Sequence, residues 1–217
     1  AERADLLVLF QSSDIDLIPV IQARRERGLK TLIEYNDNFY APARWSPVAK
    51  PWSSPLVWQV YEQLINAGDG LLVTGPGLVE LFSPKSLVPI HVLENHLPKP
   101  LAPFDTVWDD PQAEINIGWA GSVGHMADVL SILPVLHQLL EADSRVRIHL
   151  MGNSSLANLC GISPHRLRFT PWGSMDDYFR FWQPVHIGIA PLLDTAYNRC
   201  RSDIKAVEMA GSAVLPL

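Results

Sequence analysis

The feature that most narrows the possible folds is an alternation. Short apolar runs of strand character take turns with segments of helical spacing in both halves of the chain. In the first half, residues 5–10 (DLLVLF), 30–35 (KTLIEY), 70–74 (GLLVT) and 90–93 read as strands. Between them, residues 15–27 (closed by Gly28), 55–67 and 77–82 read as helices. In the second half, residues 114–120 (EINIGWA), 145–151 (RVRIHLM), 166–170, 186–191 (HIGIAP) and 213–217 read as strands. Val129, Ile132, Leu133, Leu136, Leu139 and Leu140 mark a helix over 128–142, and residues 175–182 mark another. A helix over 202–210 takes Ser202 as its N-cap and Asp203 into its first turn. Such alternation implies right-handed crossovers and parallel sheets.

Residues 96–112, with Pro98, Pro100, Pro103 and Pro111 and no periodicity, read as a linker between two lobes, residues 1–95 and 113–217. The expected fold class is therefore α/β: two Rossmann-like lobes with parallel sheets and a cleft between them for a ligand. At 47% hydrophobic and 18% charged residues, the chain can build such cores. A net charge of -6 argues against nucleic acid as a partner. Cys160 and Cys200 form no disulfide framework and no metal-ligand spacing, which suits a reducing cytoplasm. The sequence shows no segment of about 20 apolar residues, so no membrane span is expected. His137, His149, His165 and His186 are scattered without metal spacing. The RRER run at 24–27 reads as a solvated helix end, and Trp45, Trp52 and Trp58 as packing in a proline-rich insertion.

Two loops carry the chemistry. In APLLDTAYNRCRSDIKAVE (190–208) a buried strand gives way to a polar loop and then a helix start. Loops at the carboxyl ends of parallel strands face the ligand crevice, and a helix amino terminus seats a diphosphate. Arg199, Arg201 and Lys205 add positive charge in that turn, Asn198 and Ser202 add polar groups, and Glu208 could take ribose hydroxyls. The bland alternative is a solvated basic loop with a surface glutamate. The second loop, Gly121-Ser122-Val123-Gly124-His125, lets backbone amides approach a phosphate. His125 could donate there or serve a structural bond, with Asp128 capping the helix or orienting the histidine.

Taken together, IGWAGS-x-x-H-x-x-D, the strand ending in MG, RLRFTPW and HIGIAPLLDTAYNR-x-RSDIKAVE resemble bacterial glycosyltransferases of the GT-B fold, of the retaining family 4 type. IEYNDNFY resembles their acidic turn, GLLVTGPGLVELF one of their strand-helix units, and LENHL the segment before their donor domain. The resemblance implies an acceptor-side lobe at 1–95 and a donor nucleotide-sugar lobe at 113–217, both incomplete at the outer ends. It implies transfer of a sugar from a nucleotide-diphosphate donor to a glycan, lipid or protein acceptor, with retention, without metal and without a cofactor. Glu208 matches the second glutamate of the family's paired-glutamate motif, which grips ribose. The first glutamate falls at Cys200 and is missing, as is the usual arginine-plus-lysine pair after the first donor-lobe strand. Arg201, Lys205 and His125 are the catalytic candidates. Gly121, Ser122, Asn198, Arg199, Ser202 and Glu208 are the donor-binding candidates, and Asp37 belongs to the acceptor side. The expected setting is the cytoplasm, with a peripheral seat at the inner face of the membrane as an option. The rivals are a nucleotide-sugar epimerase on the same fold, and a degenerate module that binds a nucleotide sugar or a protein partner without turnover.

Overall fold

A computed structural model describes residues 3–97 and 113–217. It divides into two compact units, Ala1–Asn95 with Asp194–Ser202, and His96–Leu193 with Asp203–Leu217. Apart from His96 and Leu97, the expected linker lies outside the described residues.

The sheet of the first unit holds β1 (Leu6–Phe10), β2 (Lys30–Glu34), β3 (Gly70–Val73) and β4 (Ile90–Val92), in that spatial order and all parallel. Its helices are α1 (Leu17–Glu26), α2 (Ala49–Trp52), α3 (Pro55–Ala67) and α4 (Pro76–Phe82). Proline in the first turn starts both α3 and α4, where its missing N–H costs nothing. Gly28, at φ +75, ends the turn after α1. The core gathers Ile21, Ile33, Leu64, Ile65, Leu71 and Val73 with the aromatic cluster of Tyr35, Phe39, Tyr61 and Phe82. Trp52 is buried there, its indole N–H donating to Tyr61 OH at 3.0 Å, so packing is the role the structure gives it.

In the second unit the strands are β5 (Ile115–Ala120), β6 (Val146–Gly152), β7 (Leu167–Pro171), β8 (Ile187–Gly188) and β9 (Leu215–Pro216), ordered β7-β6-β5-β8-β9 and all parallel. The helices are α5 (Met126–Ala142), α6 (Ser154–Leu159), α7 (Met175–Trp182) and α8 (Ile204–Gly211). The chain starts at β5, winds outward to β7, then returns to the other side of β5 at β8. That reversal makes a topological switch point between β5 and β8, the place where open α/β sheets bind ligands. A capping box starts α7: Ser174 accepts from the Asp177 N–H, and Asp177 accepts from the Ser174 N–H at 3.0 Å.

Several sequence expectations need correction. Residues 186–191 form a strand only at Ile187–Gly188. The last helix opens at Ile204 with Asp203 in the cap position, and Ser202 instead accepts a hydrogen bond from Asn95 at 2.7 Å. Segment Asp194–Ser202, assigned by sequence to the donor lobe, packs in the first unit. Arg24 is not solvated. It is 1% exposed, and its guanidinium donates to Thr31 Oγ1 and to the carbonyls of Ala4 and Lys30. A buried arginine is tolerated there because its donors meet fixed acceptors. The run Val123–Ala142 is long and apolar enough to cross a membrane by length and composition. Its Val129 and Leu136 are buried in the core with Ile117, Ile148 and Leu150, while Val135 and Leu139 on the same helix are exposed.

Docking of Asp194–Ser202 depends on one glycine. A Cβ at Gly77 would stand 2.3 Å from the Arg199 carbonyl oxygen, and Cys200 Sγ lies 3.6 Å from the Gly77 oxygen. Gly77→Ala is therefore expected to destabilise the protein by about 1–3 kcal/mol, the usual cost of forcing atoms into a packed site. Thermal denaturation checks this, and an unchanged melting temperature would contradict the close approach.

Candidate functional site

The glycine-rich loop after β5 sits at the switch point. Gly121 and Gly152 are needed for the strand ends to approach: the Gly121 N–H donates to the Met151 carbonyl at 3.1 Å, and a Cβ at Gly152 would lie 2.3 Å from the Gly121 oxygen. Ser122 is exposed, and a short 3-10 turn, Val123–His125, leads into α5. His125 Nδ1 lies 2.8 Å from Asp128 Oδ2, while Asp128 Oδ1 accepts from the Leu193 N–H at 2.9 Å. Asp128 is 5% exposed, so it both orients the histidine and pins the loop that follows β8. The orienting role expected for Asp128 matches this contact with His125, and the residue lies in the first turn of α5.

In the same unit, Glu208 and Lys205 of α8 meet Tyr178 of α7. The Tyr178 hydroxyl donates to Glu208 Oε2 at 2.6 Å, and Lys205 Nζ lies 3.0 Å from that hydroxyl and 3.4 Å from Oε2. The ammonium also stands 4.6 Å from the centre of the tyrosine ring. Burial, then the Glu208 carboxylate, pushes the Tyr178 phenol well above its usual range, so it acts as a fixed donor. Spacing explains the meeting: Lys205 and Glu208 are three apart and share one face of α8. Both line a cavity of about 210 Å³ with Tyr178, Trp172 and Met175. Met151 at the end of β6 also lines it, so the cavity opens at the carboxyl edge of the sheet. Sequence reasoning missed Tyr178, Trp172 and Met175 as site residues. The available signal was the tryptophan placed directly after strand β7.

The other candidates lie in the first unit. Arg201 pairs with Asp37 and stands 5.7 Å from the centre of the Tyr197 ring. Burial, then the Asp37 charge, pushes the Tyr197 phenol up to about 12. Asn38 Nδ2 donates to the Ala196 carbonyl at 3.0 Å, and the Asn198 N–H donates to Thr195 Oγ1 at 3.1 Å. Arg199 binds Asp194 through two contacts of 2.6 and 2.8 Å, at the exposed surface. Lys205 lies on α8 of the second unit and faces Glu208, while Arg199 and Arg201 belong to the first unit and face Asp194 and Asp37. Cys200, where the resembled family has a glutamate, is 8% exposed in the first unit's core, and burial raises its thiol.

No family model matches the chain, and no curated protein matches it. Solved structures do. The pneumococcal O-GlcNAc transferase GtfA, solved with UDP and GlcNAc, matches 97% of this chain and 41% of its own, at 10% identity and a TM-score of 0.61. The crystal structure of TarM matches 85% of this chain and 35% of its own, at 9% identity and a TM-score of 0.58. A glycosylation-associated protein (Gap123) complex from Streptococcus agalactiae matches 97% and 41%, at 8% identity and a TM-score of 0.52. The chain shares its fold with these proteins. It is an α/β fold of parallel sheets, the class expected from the sequence. It spans well under half the length of each of the three.

Proposed function

We propose that the chain belongs to a GT-B glycosyltransferase that transfers a sugar from a nucleotide-diphosphate donor to a glycan, lipid or protein acceptor. The reading follows the retaining family 4 pattern and uses neither metal nor cofactor. The observation that carries it is Glu208, a carboxylate lining a cavity of about 210 Å³ at the carboxyl edge of a parallel sheet, gripped by Tyr178 and Lys205. Among the described residues, its Oε1 takes no hydrogen bond, leaving an acceptor for ribose hydroxyls. Lys205 supplies the cation for the departing diphosphate, and the loop Gly121, Ser122 and His125 at the switch point supplies small residues and a donor. The resemblance in sequence assigns Arg201, Arg199, Asn198 and Ser202 to the donor and Asp37 to the acceptor side. The setting is the cytoplasm, with a peripheral seat at the membrane's inner face for a lipid acceptor.

Glu208→Ala is expected to weaken uridine or guanosine diphosphate by about 1.5–3 kcal/mol, the worth of hydrogen bonds to a charged group. Inorganic pyrophosphate should bind the variant nearly as before. Calorimetry with both ligands decides the matter, and an equal loss for the two removes Glu208 from the ribose. One observation favours a second reading, a module that binds nucleotide sugar without turnover. Cys200 is buried where the resembled family holds sugar hydroxyls with a glutamate. Donor binding without transfer or hydrolysis, in the protein at its natural length, selects that reading.

A further inference from the structure

The second unit has another cavity, of about 530 Å³, that the candidate site does not use. It lies between the edge strand β7, its neighbour β6 and helix α7. The ladder explains which side chains meet there. His149 of β6 and Arg168 of β7 are register partners, so both point to the same face of the sheet. Ile148 and Leu150 alternate with His149, point to the opposite face and join the core against α5. Asp177, Arg180 and Phe181 stand three and four apart on α7, so one face of that helix forms the facing wall. Trp172, directly after β7 and 57% exposed, lines this cavity and the Glu208 cavity alike.

The chemistry of this cavity turns on the histidine. Asn116 Nδ2 donates to the Pro184 carbonyl at 2.7 Å, so the amide oxygen is the atom turned to His149 Nε2, 3.0 Å away. Nε2 therefore carries the proton, and Nδ1 keeps a lone pair. The histidine is 5% exposed and lines the cavity, and among the described residues Nδ1 has no hydrogen-bond partner. Nor is Nδ1 sealed in: among those residues the one enclosed side-chain nitrogen or oxygen without a partner is Trp182 Nε1. A nearly buried acceptor that opens to a cavity calls for a donor there. Arg168 reaches Glu114 at 3.3 Å and Arg180 reaches Asp177 at 2.6 Å, so neither cation is left uncompensated to hold an anion. Each guanidinium has five N–H donors, and a carboxylate engages only some of them. An acceptor beside the remaining donors suits hydroxyl groups, which both give and accept. The exposed indole face suits the C–H face of a sugar ring. The volume falls within the roughly 300–1,000 Å³ of small-ligand sites. We propose that this cavity binds an uncharged sugar of a glycan, apart from the candidate donor cavity and without need of a nucleotide.

The test is calorimetric titration of the protein at its natural length with glucose, glucuronic acid, maltose, cellobiose, lactose and diacetylchitobiose. Each titration is run with uridine diphosphate absent and present. At least one of the uncharged sugars should bind, and the nucleotide should not displace it. Its dissociation constant should rise at least tenfold in Arg180→Ala, and likewise in His149→Phe, which keeps a ring and removes the acceptor. The Arg180 side chain is 65% exposed, so Arg180→Ala keeps the test decisive should His149→Phe unfold. Nitrogen NMR on histidine-labelled protein should show His149 protonated at Nε2, with the Nδ1 signal moving as the sugar binds. Four results would overturn the proposal: no binding by any uncharged sugar, displacement by the nucleotide, tighter binding of glucuronic acid than of glucose, or unchanged affinity in Arg180→Ala. Sugar binding by a protein that takes no nucleotide would support it and count against the donor reading alone.

Discussion

Lys205→Ala is expected to cut turnover roughly a hundredfold, about 2.7 kcal/mol of transition-state stabilisation, while donor affinity falls by much less. In the proposed transfer, negative charge builds on the leaving diphosphate as the sugar–diphosphate bond breaks, so a cation placed there helps the transition state more than the ground state. The structure adds a reason to choose Lys205 over the two arginines. Its ammonium is held by the Tyr178 hydroxyl and the Glu208 carboxylate at one edge of the candidate cavity. Arg199 is an exposed partner of Asp194, and exposed pairs of that kind contribute little. Arg201 pairs with Asp37 and stacks near Tyr197, so Arg201→Ala would disturb the docking of Asp194–Ser202 as well as any phosphate contact. Single-turnover kinetics on the protein at its natural length separates chemistry from binding. Undiminished turnover in Lys205→Ala would remove the diphosphate from this edge of the sheet.

How much of this was legible in the sequence depends on how local each signal is. Helices α3 and α7 appear at the expected bounds, because proline in the first turn of one and the Ser174–Asp177 box of the other are local devices. Helix α6 carried a readable signal that the sequence reading passed over, the Asn153 side chain accepting from the Ser155 N–H at 2.8 Å. Ser202 failed as a cap because its hydroxyl is claimed by Asn95, a contact that no pattern around residue 202 can show. The same holds for Asp194–Ser202, whose place is set by Gly77 and by the burial of Cys200. Arg24 looked solvated because the acceptors that bury it lie on the backbone of β2 and at Ala4. In the candidate site, Glu208 and Lys205 were visible by type and spacing. Their partner Tyr178 was hidden in the apolar rhythm of α7, since a buried tyrosine and a site tyrosine look alike in sequence.

Acid is expected to destabilise the second unit by about 3 kcal/mol between pH 6.5 and pH 4, through one histidine. His149 is 5% exposed, and its Nε2 lies 3.0 Å from Asn116 Oδ1. The Asn116 backbone N–H donates to His186 Nδ1 at 3.1 Å, which needs that nitrogen unprotonated, while its side-chain amide donates to the Pro184 carbonyl. Burial first, then the Arg168 charge and His186, lowers His149 to about 4, against the opposing pull of Glu114, and burial lowers His186 too. In the unfolded chain His149 takes up its proton near pH 6.5, while in the folded protein it resists until about pH 4. Between those values the unfolded state binds more protons, so stability falls as pH falls and levels off below about 4. Other groups titrate in the same window, so the measurement is a difference. Urea unfolding of the wild type and of His149→Gln is followed from pH 7.5 to 4.0, glutamine keeping an N–H for Asn116. The wild type should lose more stability than the variant across that range, and two parallel curves would show that His149 carries no proton linkage.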